Sequence, residues 1–315
     1  MNERTVQFYR EKQKCQGNLT HIIDEIDDPA LRKIDELYGA ADYLSIFYAK
    51  RHQRNLLLIA FLGTLLTFFF LLYDEAELYG LIIACGVVII CLFVTQRLSG
   101  KWESHNHYLE YRMLAESLRV QFYLGYGGIT KKVEDILPWS TKMTLPWITE
   151  VLKTVDLPEG RERKQLSEVW IREQKTYHER ALAKAEHKNA INNSVCRTTL
   201  IVTVLLYFAT LLFELYISSG KTITLNIDTV RAVLKILMGT MSAVTLFMTS
   251  YYGKMALPSI IDDYRRMIAL YDKAEKEIKE QGESEELIML LARESLNENS
   301  VWYSYQSLNA ADINI

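Results

Sequence analysis

Residues 55–73 read NLLLIAFLGTLLTFFFLLY, without a single charge. At about 1.5 Å of rise per residue, a helix of that length reaches roughly 27 Å, close to the ~30 Å of hydrocarbon in a bilayer. Four residues later a second uncharged run follows, LYGLIIACGVVIICLFVT at 78–95. The pair reads as a transmembrane hairpin in preference to two buried helices of a soluble core. Two further candidates stand at about 198–217 (TTLIVTVLLYFATLLFELYI) and 230–251 (VRAVLKILMGTMSAVTLFMTSY); they are less pure, carrying Glu214, Arg231 and Lys235.

The whole chain, 315 residues at 49% hydrophobic and 24% charged, has the average composition of one or two soluble domains. The average conceals a segregation of charge from apolarity along the chain. The expected class is therefore an all-α membrane protein with four transmembrane helices in two hairpins plus cytoplasmic helices. Its divisions are 1–54, N-terminal cytoplasmic helices; 55–96, first hairpin; 97–195, cytoplasmic helical region; 196–252, second hairpin; and 253–315, C-terminal cytoplasmic helices. The first apolar run comes after some fifty polar residues, so the first span is expected to act as its own insertion signal.

Lys50, Arg51, His52 and Arg54 precede the first span, Arg97 and Lys101 follow the second, and the turn between holds Asp74, Glu75 and Glu77. By the positive-inside rule both termini and the middle segment face the cytoplasm. Arg197, Lys254, Arg265 and Arg266 agree, against Lys221 alone in the second outer loop. The expected location is a membrane crossed more than once.

An internal echo suggests duplication: Gly100-Lys101 precedes Tyr111-Arg112 as Gly253-Lys254 precedes Tyr264-Arg265, with the same interval. After the first hairpin, Tyr108, Tyr111, Leu114, Ala115, Leu118 and Phe122 share a helical face suited to packing on a neighbour. That helix should stop near Gly125, Gly127 and Gly128. Two Leu-Pro-Trp triplets, at 137–139 and 145–147, mark turns between short elements. Residues 159–193, proline-free and rich in helix formers, should form one helix running toward the third span. Two more helices, broken around Gln281-Gly282, should follow from Ile260.

Cys15, Cys85, Cys91 and Cys196 outline no disulfide framework. A formal net charge of -3 predicts no bulk affinity for nucleic acid. Phosphate-binding loops, dinucleotide fingerprints, nucleophile elbows and paired metal-ligand motifs are all lacking in the sequence, so no catalytic residue, metal site or cofactor is expected.

The fourth span carries the most informative pattern. Lys235, Gly239, Ser242, Thr245 and Thr249 fall within one arc of a helical wheel, which lines either a polar path or a tight helix contact. Glu214 and Lys235 lie at similar depth and could form an intramembrane ion pair. Asp74, Glu75 and Glu77 would gather at an outer mouth and concentrate cations. In the cytoplasm, Arg161, Arg163 and Lys164 lie near Trp139 and Trp147, a set that could pair with phosphate and stack on bases of a short oligonucleotide. The same charges, interleaved with Glu159, Glu162 and Glu168, also fit a plain solvated helix face.

The stretch Tyr111-Arg112-Met113-Leu114-Ala115-Glu116-Ser117-Leu118-Arg119 after the hairpin, with Trp170, Gln174 and Tyr177 before the second hairpin, resembles the SLATT-type effectors of prokaryotic anti-phage systems. The resemblance covers most of residues 40–275. It implies an oligomeric pore in the inner membrane of a prokaryote, gated from the cytoplasm by a nucleotide-derived signal. The partners it implies are further copies of this chain (a tetramer favoured), the lipid bilayer, a short cyclic or linear oligonucleotide and a nucleotidyltransferase. Two hairpins depart from the shorter members. The rival class is a non-conducting membrane scaffold or receptor subunit that recruits a partner through its cytoplasmic helices.

Overall fold

The protein, seen in a computed structural model, is described at residues 2–13, 15, 28–158, 160, 162, 164–219, 226–255 and 257–308. Lys221, Glu159, Arg161 and Arg163 lie outside them. In chain order the helices are α1 (Glu3–Lys12), α2 (Pro29–Glu75), α3 (Leu81–Trp102), α4 (Ser104–Tyr126), α5 (Val133–Ile136), α6 (Trp139–Thr144), α7 (Pro146–Lys153), α8 (Glu173–Ser218), α9 (Ile227–Lys254), α10 (Leu257–Gln281) and α11 (Glu285–Leu308). A π-helical turn, Ser167–Arg172, leads into α8. No strand occurs among the described residues. Helices α2 and α8, which open the two halves, have nearly the same length, 47 and 46 residues.

Two compact units result. The first comprises Met1–Arg51, Ser104–Lys184 and Ser259–Ile315; the second, His52–Glu103 and Ala185–Pro258.

The first unit is built around α4, against which α11 packs. The expected stripe of α4 does face the core, but burial goes well beyond it: from Leu109 to Gly125 every residue except Arg112 is buried. Neighbours on several sides explain this. Tyr48 of α2 lies against Tyr111, Trp147 of α7 meets Tyr111 edge-on, Trp170 stacks on Tyr123 at 5.4 Å, and Trp302 of α11 meets Tyr108 edge-on. Gly128, at φ +74°, takes the left-handed conformation that ends a helix, next to Ile129, whose N–H reaches the Leu124 carbonyl.

The helix expected over 159–193 begins late. The backbone N–H groups of Leu166 and Ser167 donate to the Glu283 carboxylate at 2.9–3.0 Å, so a residue more than a hundred positions away sets the start. Gly282, at φ +82°, separates α10 from α11, and the Ser284 hydroxyl caps the second by accepting from Leu287 N–H.

The second unit holds two antiparallel hairpins, α2–α3 and α8–α9. Asn55 faces Ser99 across the first at 3.4 Å; Thr203 faces Thr245 across the second at 3.3 Å. The hairpins meet through α2 and α9, also antiparallel, at three matched levels. Lys235 binds Glu75, Leu71 covers Gly239, and the Phe247 ring covers Gly63. A Cβ on Gly63 would come within 2.3 Å of that ring, and one on Gly239 within 2.6 Å of Leu71 Cδ1. Small residues at these levels let the helix backbones approach, as in close-packed membrane helices. Among the described residues, four helices are long and apolar enough to cross a membrane. Their large side chains point outward, with Ile83 72% exposed, Leu246 68% and Leu212 65%.

Candidate functional site

The polar arc of α9 divides into two contact edges and an open middle. Gly239, expected among lining residues, sits under Leu71 of α2 and is a helix-contact position. Thr245 donates to the Met241 carbonyl at 2.9 Å and touches Thr203 of α8. Between these edges, at about 100° per residue, lie Lys235, Ser242 and Thr249 together with the apolar Leu246, all exposed. The Ser242 hydroxyl donates to the Met238 carbonyl at 2.8 Å, so its proton is engaged and its lone pairs stay available to the open side. Lys235 is not free within this strip, since its ammonium reaches Glu75 at 3.0 Å.

The ion pair expected between Glu214 and Lys235 takes a different form. Glu214 accepts two hydrogen bonds from Arg231, both at 2.7 Å, in the forked geometry that suits guanidinium to carboxylate. Glu214 lies four positions before the end of α8 and Arg231 four after the start of α9, so the hairpin sets them opposite each other. Lys235, one turn further along α9, passes that level and pairs across the hairpins instead. This also changes the expected outer mouth. Asp74 and Glu77 are exposed near the turn, with Glu77 at φ +55°, whereas Glu75 is neutralised by Lys235.

Of the expected cytoplasmic ligand cluster, Trp139, Trp147 and Lys164 are among the described residues. Trp147 is 3% exposed, packed against Phe8 and Tyr111, and has no face left for a base. Trp139 is 77% exposed at the start of α6. Lys164 lies over the Tyr126 ring at 4.8 Å, while Arg161 and Arg163 fall outside the described residues. Pro138 and Pro146 both open helices, but α7 carries Ile148, Val151 and Leu152 with Trp147 into the core and α6 has no such set.

A buried charge centre in the first unit was not singled out from the sequence. Arg112 Nη2 lies 2.6 Å from Glu116 Oε1 and Nη1 3.6 Å from Asp42, while Arg119 binds the other Glu116 oxygen. Burial opposes the charge on Glu116, yet Arg112 and Arg119 outweigh it and hold its pKa below the ordinary value. Burial raises Asp42 against the pull of Arg112. His178 of α8 lies beside this group, stacked on Tyr271 at 5.8 Å and tilted against Tyr264. Neither of its ring nitrogens has a hydrogen-bond partner among the described residues. Burial, then the positive field of Arg119, pushes its pKa down to about 4. The centre thus joins α2, α4, α8 and α10 through side chains from each. Arg112, Glu116 and Arg119 follow one another at i+4 and i+3, the spacing of helical ion pairs, and this was the available signal. Asp42 and His178 carry no local signal at all.

Comparison with protein-family models, with curated proteins and with solved structures found no match.

Proposed function

We propose that this chain is the subunit of an oligomeric membrane pore, its four apolar helices crossing the bilayer with both termini in the cytoplasm. The observation that carries this is the open strip on α9, where Ser242 and Thr249 stand exposed between two packed edges. Hydroxyl oxygens with lone pairs to spare suit a hydrated cation path, and the exposed acidic Asp74 and Glu77 would enrich cations near one end. Four spans are too few to surround a wide aqueous path, so several copies must close around it.

The effector role in anti-phage defence, the nucleotide-derived signal and the nucleotidyltransferase partner rest on the SLATT resemblance alone. A second reading, a non-conducting scaffold, draws support from Gly239, whose notch is already filled inside the chain.

Ion flux through the purified protein in liposomes separates the two. A pore conducts, loses its flux in Ser242→Leu/Thr249→Leu and keeps it in Val244→Leu. Absence of flux from an intact oligomer, or unaltered flux in the double variant, overturns the proposal.

A further inference from the structure

Gly239 follows Gly86 by 153 positions (239 less 86), the same interval that separates Gly253 from Gly100 and Tyr264 from Tyr111. The echo between the halves therefore makes Gly86 of α3 the counterpart of Gly239 of α9. Their surroundings differ. Leu71 fills the Gly239 notch, whereas a Cβ built on Gly86 meets nothing within 4 Å among the described residues. Ile82 and Val94, counterparts by the same interval of Lys235 and Phe247, are likewise exposed, 49% and 46%. The whole face of α3 that matches the α2-contacting face of α9 is thus uncovered.

The complementary knob is also present. Asn55 faces Ser99, whose counterpart is Tyr252, and the Thr203–Thr245 register puts 252 opposite Cys196 of α8. Asn55 therefore corresponds to Cys196, a shift of 141 (196 less 55), and the same shift carries Leu71 to Leu212 (71 plus 141). Leu212 is 65% exposed and lies in a ridge with Ile201, Leu205, Phe208 and Leu215, all exposed and spaced by four and three residues along one face.

We infer that the occupant of the Gly86 notch is Leu212 from a second copy of this chain, so that α3 of one protomer packs antiparallel on α8 of the next. This contact repeats between chains the Leu71–Gly239 level that α2 and α9 make within one; the other two levels become Ile82 against Tyr216 and Val94 against Val204, apolar pairs in place of the ion pair and the second glycine. Two different faces meet, so the association is head-to-tail and closes into a ring in which every hairpin has equivalent neighbours. Lipid could wet both faces equally well. What argues for a copy is that the equivalent notch, on the equivalent helix, is filled by the equivalent leucine inside the chain. The inference supplies the interface that the proposed pore requires and rests on that proposal.

The test uses full-length protein in liposomes with Cys15, Cys85, Cys91 and Cys196 replaced by Ala. Adding Gly86→Cys and Leu212→Cys together should, on oxidation with copper phenanthroline, give a ladder of covalent multimers that reduction collapses, and neither change alone should give one. Gly86→Leu should shift the assembly to monomer in a mass measurement, whereas Gly100→Leu, on the same helix and equally uncrowded, should not. A lack of multimers, a bond closed within one chain, dimers from Gly86→Cys alone, or an unshifted Gly86→Leu would each overturn the interface. Flux measured on the same vesicles keeps the two proposals apart: a ladder without flux retains the interface and removes the pore, and flux without a ladder does the reverse.

Discussion

The two units of this chain solve the problem of burial in opposite ways. In the first, the central helix α4 buries Glu116 and Arg119 along with its leucines, and tyrosine and tryptophan rings close around it. In the second, the largest aliphatic side chains point outward and the helices touch through glycines. Water would punish such a surface, since soluble monomers rarely leave contiguous apolar faces of this extent uncovered. Hydrocarbon does not, and there association depends on close backbone approach because no hydrophobic gain remains to be collected. The difference supports the proposal that the second unit is built for lipid.

The sharpest way to break the comparison is to empty the charge centre. Glu116→Leu takes the shared carboxylate from the buried Arg119 and the partly buried Arg112, a change that costs about 3–5 kcal/mol. Hydrogen exchange along α4 should accelerate accordingly, while exchange in α3 and α9 stays as in the parent. Unchanged protection of α4 would show that the ion cluster carries no stability.

Acid should act on the same unit through His178. Its pKa falls from an ordinary 6.5 to about 4 in the folded state, so between those values the unfolded chain binds a proton that the folded chain does not. Stability is therefore level above pH ~6.5 and declines as pH drops toward ~4, by about 3 kcal/mol in all at ~1.36 kcal/mol per pH unit. His178→Phe should flatten that decline in thermal melts. A parent protein whose melting temperature does not change across the window would contradict the neutral, buried histidine.

In the second unit the effects should be steric and local. Gly63→Ala drives a methyl into the Phe247 ring and should cost about 1–3 kcal/mol, with Phe247→Ala in the same chain recovering much of it. A double variant no more stable than Gly63→Ala alone would remove this pair from the joint between hairpins. Smallest of all, Leu237→Ala, on the exposed side of α9 turned away from Ser242, should stay within about 0.5 kcal/mol in lipid, because the side chain meets only apolar surroundings there.

How much of this was legible in the sequence follows the same division. The apolar runs at 55–73 and 78–95 lie inside α2 and largely inside α3, and the break at Gly282 separates α10 from α11, because length, charge and turn residues are local signals. The late start of the helix before α8 was not legible, for its cap is Glu283. Nor were the true partners of Glu214 and Lys235: a count of depth from the helix ends cannot tell Arg231 from Lys235, but the hairpin register can. Trp147 looked like a stacking surface beside basic residues and is a core residue, since burial depends on what α1 and α4 place against it. Gly239 looked polar-facing because a wheel assigns it an arc, and only the neighbour Leu71 shows which edge of the arc is occupied.

The central claim, that lipid surrounds the second unit and water the first, is tested most directly by thiol labelling in intact cells. In a cysteine-free background, Ala76→Cys at the first turn and Ser219→Cys at the second should react with a membrane-impermeant maleimide from outside. Asp156→Cys, exposed in the first unit, should react only after the cells are opened. Labelling of all three positions in intact cells, or of none, would contradict the membrane-spanning account, and labelling of Asp156→Cys alone would reverse the orientation.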